Sequence, residues 1–245
     1  MTRNKPVPDI SPEDVAFMRG LIIYQDFDLI GFDKPSGLPV QDGRGIDRSL
    51  DSLLVAFARS NGKRPKLVHR LDAGTSGVII VAKTQPAAAF FSAEFAERRT
   101  RKTYVAMVSG AIPSGREGVI DAPLVKVQEG GRARMIVAKA GRKGAQAART
   151  GWKVLAASGT HALIQLSPET GRMHQIRIHL AHLGCPILGD TVYGTGLQGA
   201  PRLMLHALKL EIARPSGVTA TLEAPLPDIF GELAEVHGLE DYSGL

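Results

Sequence analysis

"LVHRLDAGTSGVIIVAKT", residues 67–84, is the stretch on which the reading of this chain turns. Its one carboxylate, Asp72, stands two positions after Arg70 and ahead of a turn of small residues and an apolar run, residues 78–82. On an extended segment residues i and i+2 face the same side, so Arg70 and Asp72 share a face while Leu71 turns inward. A guanidinium within contact range keeps a carboxylate ionised, and an ionised carboxylate serves as base or nucleophile. A surface ion pair uses the same two residues, and on this stretch alone that plainer reading is the stronger. Gly74 and Gly77 permit positive φ and close backbone approach, so the D-x-x-T-S-G turn suits either the presentation of Asp72 to a bulky ligand or a simple strand-to-strand connection.

Upstream, "LIIYQDFDLIGFDKPSGLPVQ" predicts two short strands around residues 26–28 and a Pro-Ser-Gly turn. Leu50, Leu53, Leu54 and Phe57 recur at helical spacing and predict a helix over 49–59. Downstream of the quoted stretch, Pro86 opens a helix that turns Phe90, Phe91 and Phe95 to a core, and arginines crowd its end, where the dipole favours cations. A strand over 103–108 follows. Between Lys126 and Arg149 seven basic residues and one acid, Glu129, alternate with glycines. This segment reads equally as a solvated hairpin and loop or as an arm that touches phosphates. "WKVLAAS" and "HALIQLSP" predict an antiparallel pair, and "RLMLHALKLEI" with "GVTATLEAP" a final one. Many strands with few, scattered helices and no βαβ alternation make this a mixed α+β chain. The expected layout is an N-terminal tail with one short helical turn (1–20), one folded domain (21–230) and an acidic C-terminal tail (231–245).

The helix after Thr170 carries the second cluster. Thr170 caps it, Gly184 ends it with Pro186 beyond, and Met173, Ile176, Leu180 and Leu183 form its apolar stripe. Arg177 sits at the border of that stripe, where a partly buried guanidinium needs an anionic partner; Asp72 is a candidate. Arg172 at the helix start opposes the dipole unless an anion, an RNA phosphate or a capping carboxylate, lies between. His174, His179 and His182 do not converge on one face and lack a paired cysteine or an H-E-x-x-H pattern, so no metal is expected. His179 and His182 read as surface or helix-end residues. A third cluster, "RRTRKTY" at 98–104, sets four cations before Tyr104; the tyrosine suits stacking on a base, though alone it reads as a core residue with a satisfied hydroxyl.

The totals narrow the partners. The 245 residues are 44% hydrophobic and 22% charged, the values of a chain that folds. After Arg214 come six acids and no Lys or Arg, so the chain up to that arginine carries 30 basic against 18 acidic side chains, a net +12. Such a field favours a polyanion, most simply nucleic acid, although an acidic protein or membrane surface would satisfy charge alone. Cys185 is the only cysteine, which excludes an intrachain disulfide and favours the cytoplasm; its expected role is packing. The opening "MTRNKPVPDI" lacks an apolar signal region, and residues 78–82 are too few to span a bilayer.

Taken in order, "DKPSGLPV", "HRLDAGTSGVIIVAK", "RKTYVAMVSG", "TGRMHQIRIHLAHLGCPILGDTVYG" and "LMLHALKLEI" resemble the shared segments of the RluA-type RNA pseudouridine synthases, from about Leu21 to about Asp228. The resemblance implies a mostly antiparallel central sheet in two halves with flanking helices and a cleft across it. It implies isomerisation of specific uridines in ribosomal or transfer RNA, with no metal or organic cofactor. It places the nucleophile at Asp72 and the base pocket at Arg70, Tyr104 and Arg177. RNA contact is expected from Arg101, Lys102, Arg172 and His174, and from the 98–102 and 126–149 segments, because the stretch before Leu21 is too short for the N-terminal S4-type domain of many relatives. The protein is expected to be a cytoplasmic monomer with no membrane partner. Two other readings are a noncatalytic RNA-binding factor on the same fold and a uridine-releasing glycosidase; a hydrolase would want a second carboxylate to activate water.

Overall fold

The computed structural model describes residues 10–43, 48–129, 132–197 and 199–239. They build two compact units, Met1–Thr100 with Lys209–Pro225 and Arg101–Leu208 with Leu226–Leu245.

The first unit begins with helix α1 (Pro12–Gly20). Ser11 accepts a hydrogen bond from the Asp14 amide, proline occupies the first turn, and Glu13 and Asp14 meet the positive end of the dipole. These capping signals turn half of the expected N-terminal tail into a helix that buries Met18. Strands β1 (Ile22–Gln25) and β2 (Leu29–Lys34) pair antiparallel across the predicted turn. Asp26 fixes that turn by accepting from the amides of Asp28 (2.7 Å) and Leu29 (2.8 Å). The predicted 49–59 helix is shorter: α2 (Leu50–Leu53), capped reciprocally by Ser49 and Ser52, tightens into a 3-10 turn at Leu54–Phe57. After β3 (Lys66–Leu67) comes β4 (Ser76–Ala82), which pairs with β2 and is buried along its whole length. Helix α3 (Gln85–Ala96), capped by Thr84, buries Phe91 fully and packs Phe90 and Phe95 at the margin of the same core.

The second unit opens with β5 (Arg101–Ser109), whose residues 105–108 are sealed from solvent, and β6 (Glu117–Asp121). The basic segment forms a separate hairpin, β7 (Leu124–Glu129) and β8 (Arg132–Val137). Strands β9 (Arg149–Ser158) and β10 (His161–Pro168) are the predicted pair, and the order in this unit is β5-β10-β9-β6, antiparallel throughout. Helix α4 (Gln175–His182) lies between β10 and β11 (Leu205–Ala213) in the chain. β11 starts in this unit and ends in the first, where it pairs with β12 (Thr219–Glu223). Helix α5 (Asp228–Val236) sends Phe230, Leu233 and Ala234 into the core of the second unit, and Leu239 is buried behind it. The expected boundary at 230/231 therefore falls inside a packed helix, whose acids face outward while its apolar stripe is buried. The rest of the expected acidic tail, from residue 240, lies outside the described residues. Among the described residues no helix is long and apolar enough to cross a membrane.

Candidate active site

Asp72 lies on a loop of the first unit that is fastened from several sides. Its carbonyl accepts the Thr75 amide at 3.1 Å, closing the turn that leads into β4, and Thr75 and Ser76 are buried beneath it. The turn after β2 grips the same loop. Lys34 is fully buried, and its ammonium donates to the carbonyls of Pro35 (2.9 Å), Leu38 (2.9 Å) and Ala73 (3.1 Å). Ser36 Oγ donates to the Gly74 carbonyl at 2.7 Å, and the Gly37 amide to the Ala73 carbonyl at 2.8 Å. Gly37 adopts φ +89°, a conformation that fits glycine. From the other side His69 Nε2 accepts the Ile80 amide at 3.0 Å while its ring stacks on Phe95 at 4.2 Å. Leu71 is buried as expected, and Asp72 stays half-buried at the crest of the loop. Arg70 is exposed and donates to Gln41 Oε1 at 3.1 Å. Sequence reading passed over Lys34 and His69; a lysine closing an apolar strand was the available signal for the first.

In the second unit the region around α4 is built differently from expectation. The helix begins at Gln175, not after Thr170: His174 is the N-cap, in the left-handed region at φ 55°. Gln175 consumes the polar groups that were to cap the helix. Its Oε1 accepts from Thr170 Oγ1 (2.6 Å) and the Arg172 amide (3.0 Å), and its amide nitrogen donates to the Arg149 carbonyl (3.0 Å) and to Thr150 Oγ1 (2.9 Å). Arg172 therefore precedes the helical dipole by three positions, and its Nε donates to the Ala147 carbonyl at 3.2 Å. At that distance Arg172 does not oppose the dipole directly, and no anion between it and the helix end is required. His179, expected at the surface or at the helix end, does lie in the last turn of α4 but is fully buried between Thr150 Oγ1 (2.9 Å) and the Ala122 carbonyl (3.0 Å). The predicted stop is a Schellman motif, with Gly184 at φ +88° and the Cys185 amide donating to the Leu180 carbonyl at 3.0 Å. Cys185 is sealed, and burial pushes its thiol up to about 11, so it is a packing residue.

Arg177 has a partner that sequence reading missed. Its Nε and Nη2 donate to the two oxygens of Asp190, each at 2.7 Å, and both side chains are buried. Asp190 Oδ1 also accepts the amides of Val192 (2.9 Å) and Tyr193 (3.0 Å). Burial alone would raise this carboxyl, but the bonds from Arg177 and the two amides outweigh it and hold it below the ordinary aspartate value. Tyr193 lies under the guanidinium, 5.1 Å from its ring centre, and its hydroxyl meets His174 Nδ1 (2.9 Å) and the Met135 amide of β8 (3.3 Å). Arg134 of the same strand covers Tyr193 at 5.4 Å. The basic hairpin is thus tied to α4 through this tyrosine and through Ile178, which packs with Leu124 and Met135. No periodicity announces such a loop-borne carboxylate; "LGDTVYG" offered only a Gly-Asp pair.

The remaining expected residues fall as follows. Tyr104 sits on β5 opposite Leu166, half-buried at the edge of the main core. Arg101 at the start of β5 is exposed and Lys102 half-buried. Their neighbour Arg99 is spent on the buried Glu94 (2.6 Å) and on Glu97, so the 98–102 cluster is less cationic in place than in sequence.

A family model described as RNA pseudouridylate synthase matches residues 28–182, a span that includes the Asp72 loop, Tyr104 and Arg177. The chain belongs to that family. An uncharacterized RNA pseudouridine synthase of Zymomonas mobilis is 39% identical over 214 residues, 86% of this chain and 96% of its own. The dual-specificity RNA pseudouridine synthase RluA of Escherichia coli is 39% identical over 209 residues, 84% of this chain and 92% of its own. Among solved structures, human RNA pseudouridylate synthase domain containing 4 superposes with a TM-score of 0.77 at 28% identity, covering 93% of this chain and 98% of its own. The expected family, α+β pseudouridine synthase fold and enzyme class therefore hold: this is an RNA-modifying isomerase that converts uridine to pseudouridine.

Proposed function

We propose that this synthase acts on specific uridines of structured ribosomal or transfer RNA, with Asp72 as its nucleophile and the target base flipped out of its stack. The observation that carries the assignment of Asp72 is the anchoring of its loop: buried Lys34, Ser36 and Gly37 hold the two residues after it, while its own side chain stays accessible. A carboxylate fixed on a rigid loop is preorganised for attack. The reaction breaks the N1–C1′ bond of uridine and joins C1′ to carbon 5, whose hydrogen leaves as a proton while N1 gains one. The detached uracil must be kept and turned, so water has to be excluded, and the residues proposed for that pocket are Arg70, Tyr104 and Arg177. Flipping costs a few kcal/mol, which aromatic and cationic groups offset. Arg101, Lys102, Arg172, His174 and the β7–β8 hairpin are proposed to hold the RNA backbone, supported by the net positive charge of the chain up to Arg214. A single sealed cysteine suits the cytoplasm, and the protein is proposed to act there as a monomer.

The test is Asp72→Asn in purified enzyme, read by tritium release from RNA labelled at carbon 5 of uridine and by RNA affinity. Product formation should vanish at nearly unchanged affinity; retained activity rejects Asp72 as nucleophile, and free uracil in the wild-type reaction would mean hydrolysis. Pseudouridine mapping of cellular RNA with and without the gene identifies the target.

A further inference from the structure

We infer that Asp190 is a positioning residue of the synthase: it fixes the plane and direction of the Arg177 guanidinium. The inference rests on the assignment of Arg177 to the base pocket and concerns what aims that side chain. An arginine on a helix has a long, flexible stem, and a single contact leaves its fork free to swing. Here the Nε–Nη2 edge is bound to both oxygens of Asp190 at 2.7 Å. The carboxylate is itself immobile, because Oδ1 takes the Val192 and Tyr193 amides at 2.9 and 3.0 Å and its loop is pinned by Gly189. The Tyr193 ring lies 5.1 Å from the guanidinium carbon and limits rotation out of plane. With one edge bound and one face covered, the cation is held in a single orientation. That is the arrangement expected where a group must hold charge in place through a reaction without reorganising.

The experiment compares wild type with Asp190→Asn, Asp190→Glu and Arg177→Ala, using RNA from cells lacking the gene, labelled at carbon 5 of uridine. Single-turnover rate, RNA affinity and thermal midpoint are measured for each. Asp190→Asn keeps the shape but not the charge, and its rate should fall about 10- to 100-fold, the cost of a misdirected group, with affinity within about twofold. Asp190→Glu keeps the charge but shifts it by a methylene, so its rate should lie between the two. A folded Asp190→Asn with the wild-type rate, or a loss seen wholly in affinity, overturns the inference. Should Asp190→Asn not fold, Asp190→Glu decides: a wild-type rate there overturns it. Arg177→Ala separates the layers. If that variant keeps full turnover, the assignment of Arg177 fails; if it is slowed while Asp190→Asn turns over at the wild-type rate, only the positioning role fails.

Discussion

The Asp72 loop and the Asp190 loop share one device: a buried polar side chain, Lys34 in one and Asp190 in the other, is satisfied by main-chain groups around it, and those bonds fix the loop. For Asp72 the clamp is a buried ammonium facing three carbonyls, which is stable only because each donor has an acceptor; a buried lysine without them would shed its proton or open the fold. For Asp190 the preceding residue matters as much. Gly189 has φ +75°, and a Cβ there would collide with the Arg202 carbonyl. Gly189→Ala should therefore destabilise the protein by at least about 2 kcal/mol through backbone strain and displacement, read as a lower urea midpoint at unchanged slope. The same variant should lower turnover more than an equally destabilising change in α5, because it moves the carboxylate that aims Arg177.

At the level of elements, α4 is the piece whose surroundings change its character. His179 Nε2 faces the Ala122 carbonyl, which only accepts, so a neutral ring carries its proton there and Nδ1 accepts from Thr150 Oγ1, which in turn accepts from Gln175. The ring is held neutral with its proton on Nε2, and its pKa is lowered, first by burial and then by the nearby His182, against the opposing bond to Ala122. A histidine with a depressed folded pKa binds fewer protons folded than unfolded. Its contribution is complete above the ordinary value of 6.5 and is lost as pH falls below that through the folded value. The thermal midpoint should drop on acidification below 6.5, and His179→Gln should flatten that slope; an equal slope in both proteins would place the titrating group elsewhere.

For the whole molecule the relevant quantity is the charge of its RNA-facing groups in place. The net +12 up to Arg214 already counts the carboxylates that pair with Arg99, Arg149, Arg177 and Arg214, so the excess charge is carried by the other lysines and arginines. RNA affinity should fall linearly with salt on logarithmic axes, by about 0.7 per phosphate neutralised on single strands. Removing the charges of Lys126 and Arg134 on the β7–β8 hairpin should reduce the slope, whereas Arg99→Gln should leave it alone. Affinity titrations at several salt concentrations check this, and a flat profile in wild type would remove electrostatics as the basis of binding.

Local sequence determined most of the strands, though not β3 or β6, together with the turn at Asp26, α3 with its buried Phe91 and the glycine stop of α4, because alternation, caps and positive φ are written in neighbouring residues. The ordered motifs also determined the family and marked Asp72, since a loop that presents a carboxylate must be built from small residues beside it. Tertiary structure alone decided which groups face each other across long chain separations. Lys34 under Ala73, Asp190 against Arg177 and His179 between Thr150 and Ala122 satisfy buried polar atoms by contacts 13 to 57 residues apart. A buried polar group must find a partner, but which of many candidates it meets depends on how the chain folds back, and no local pattern encodes that.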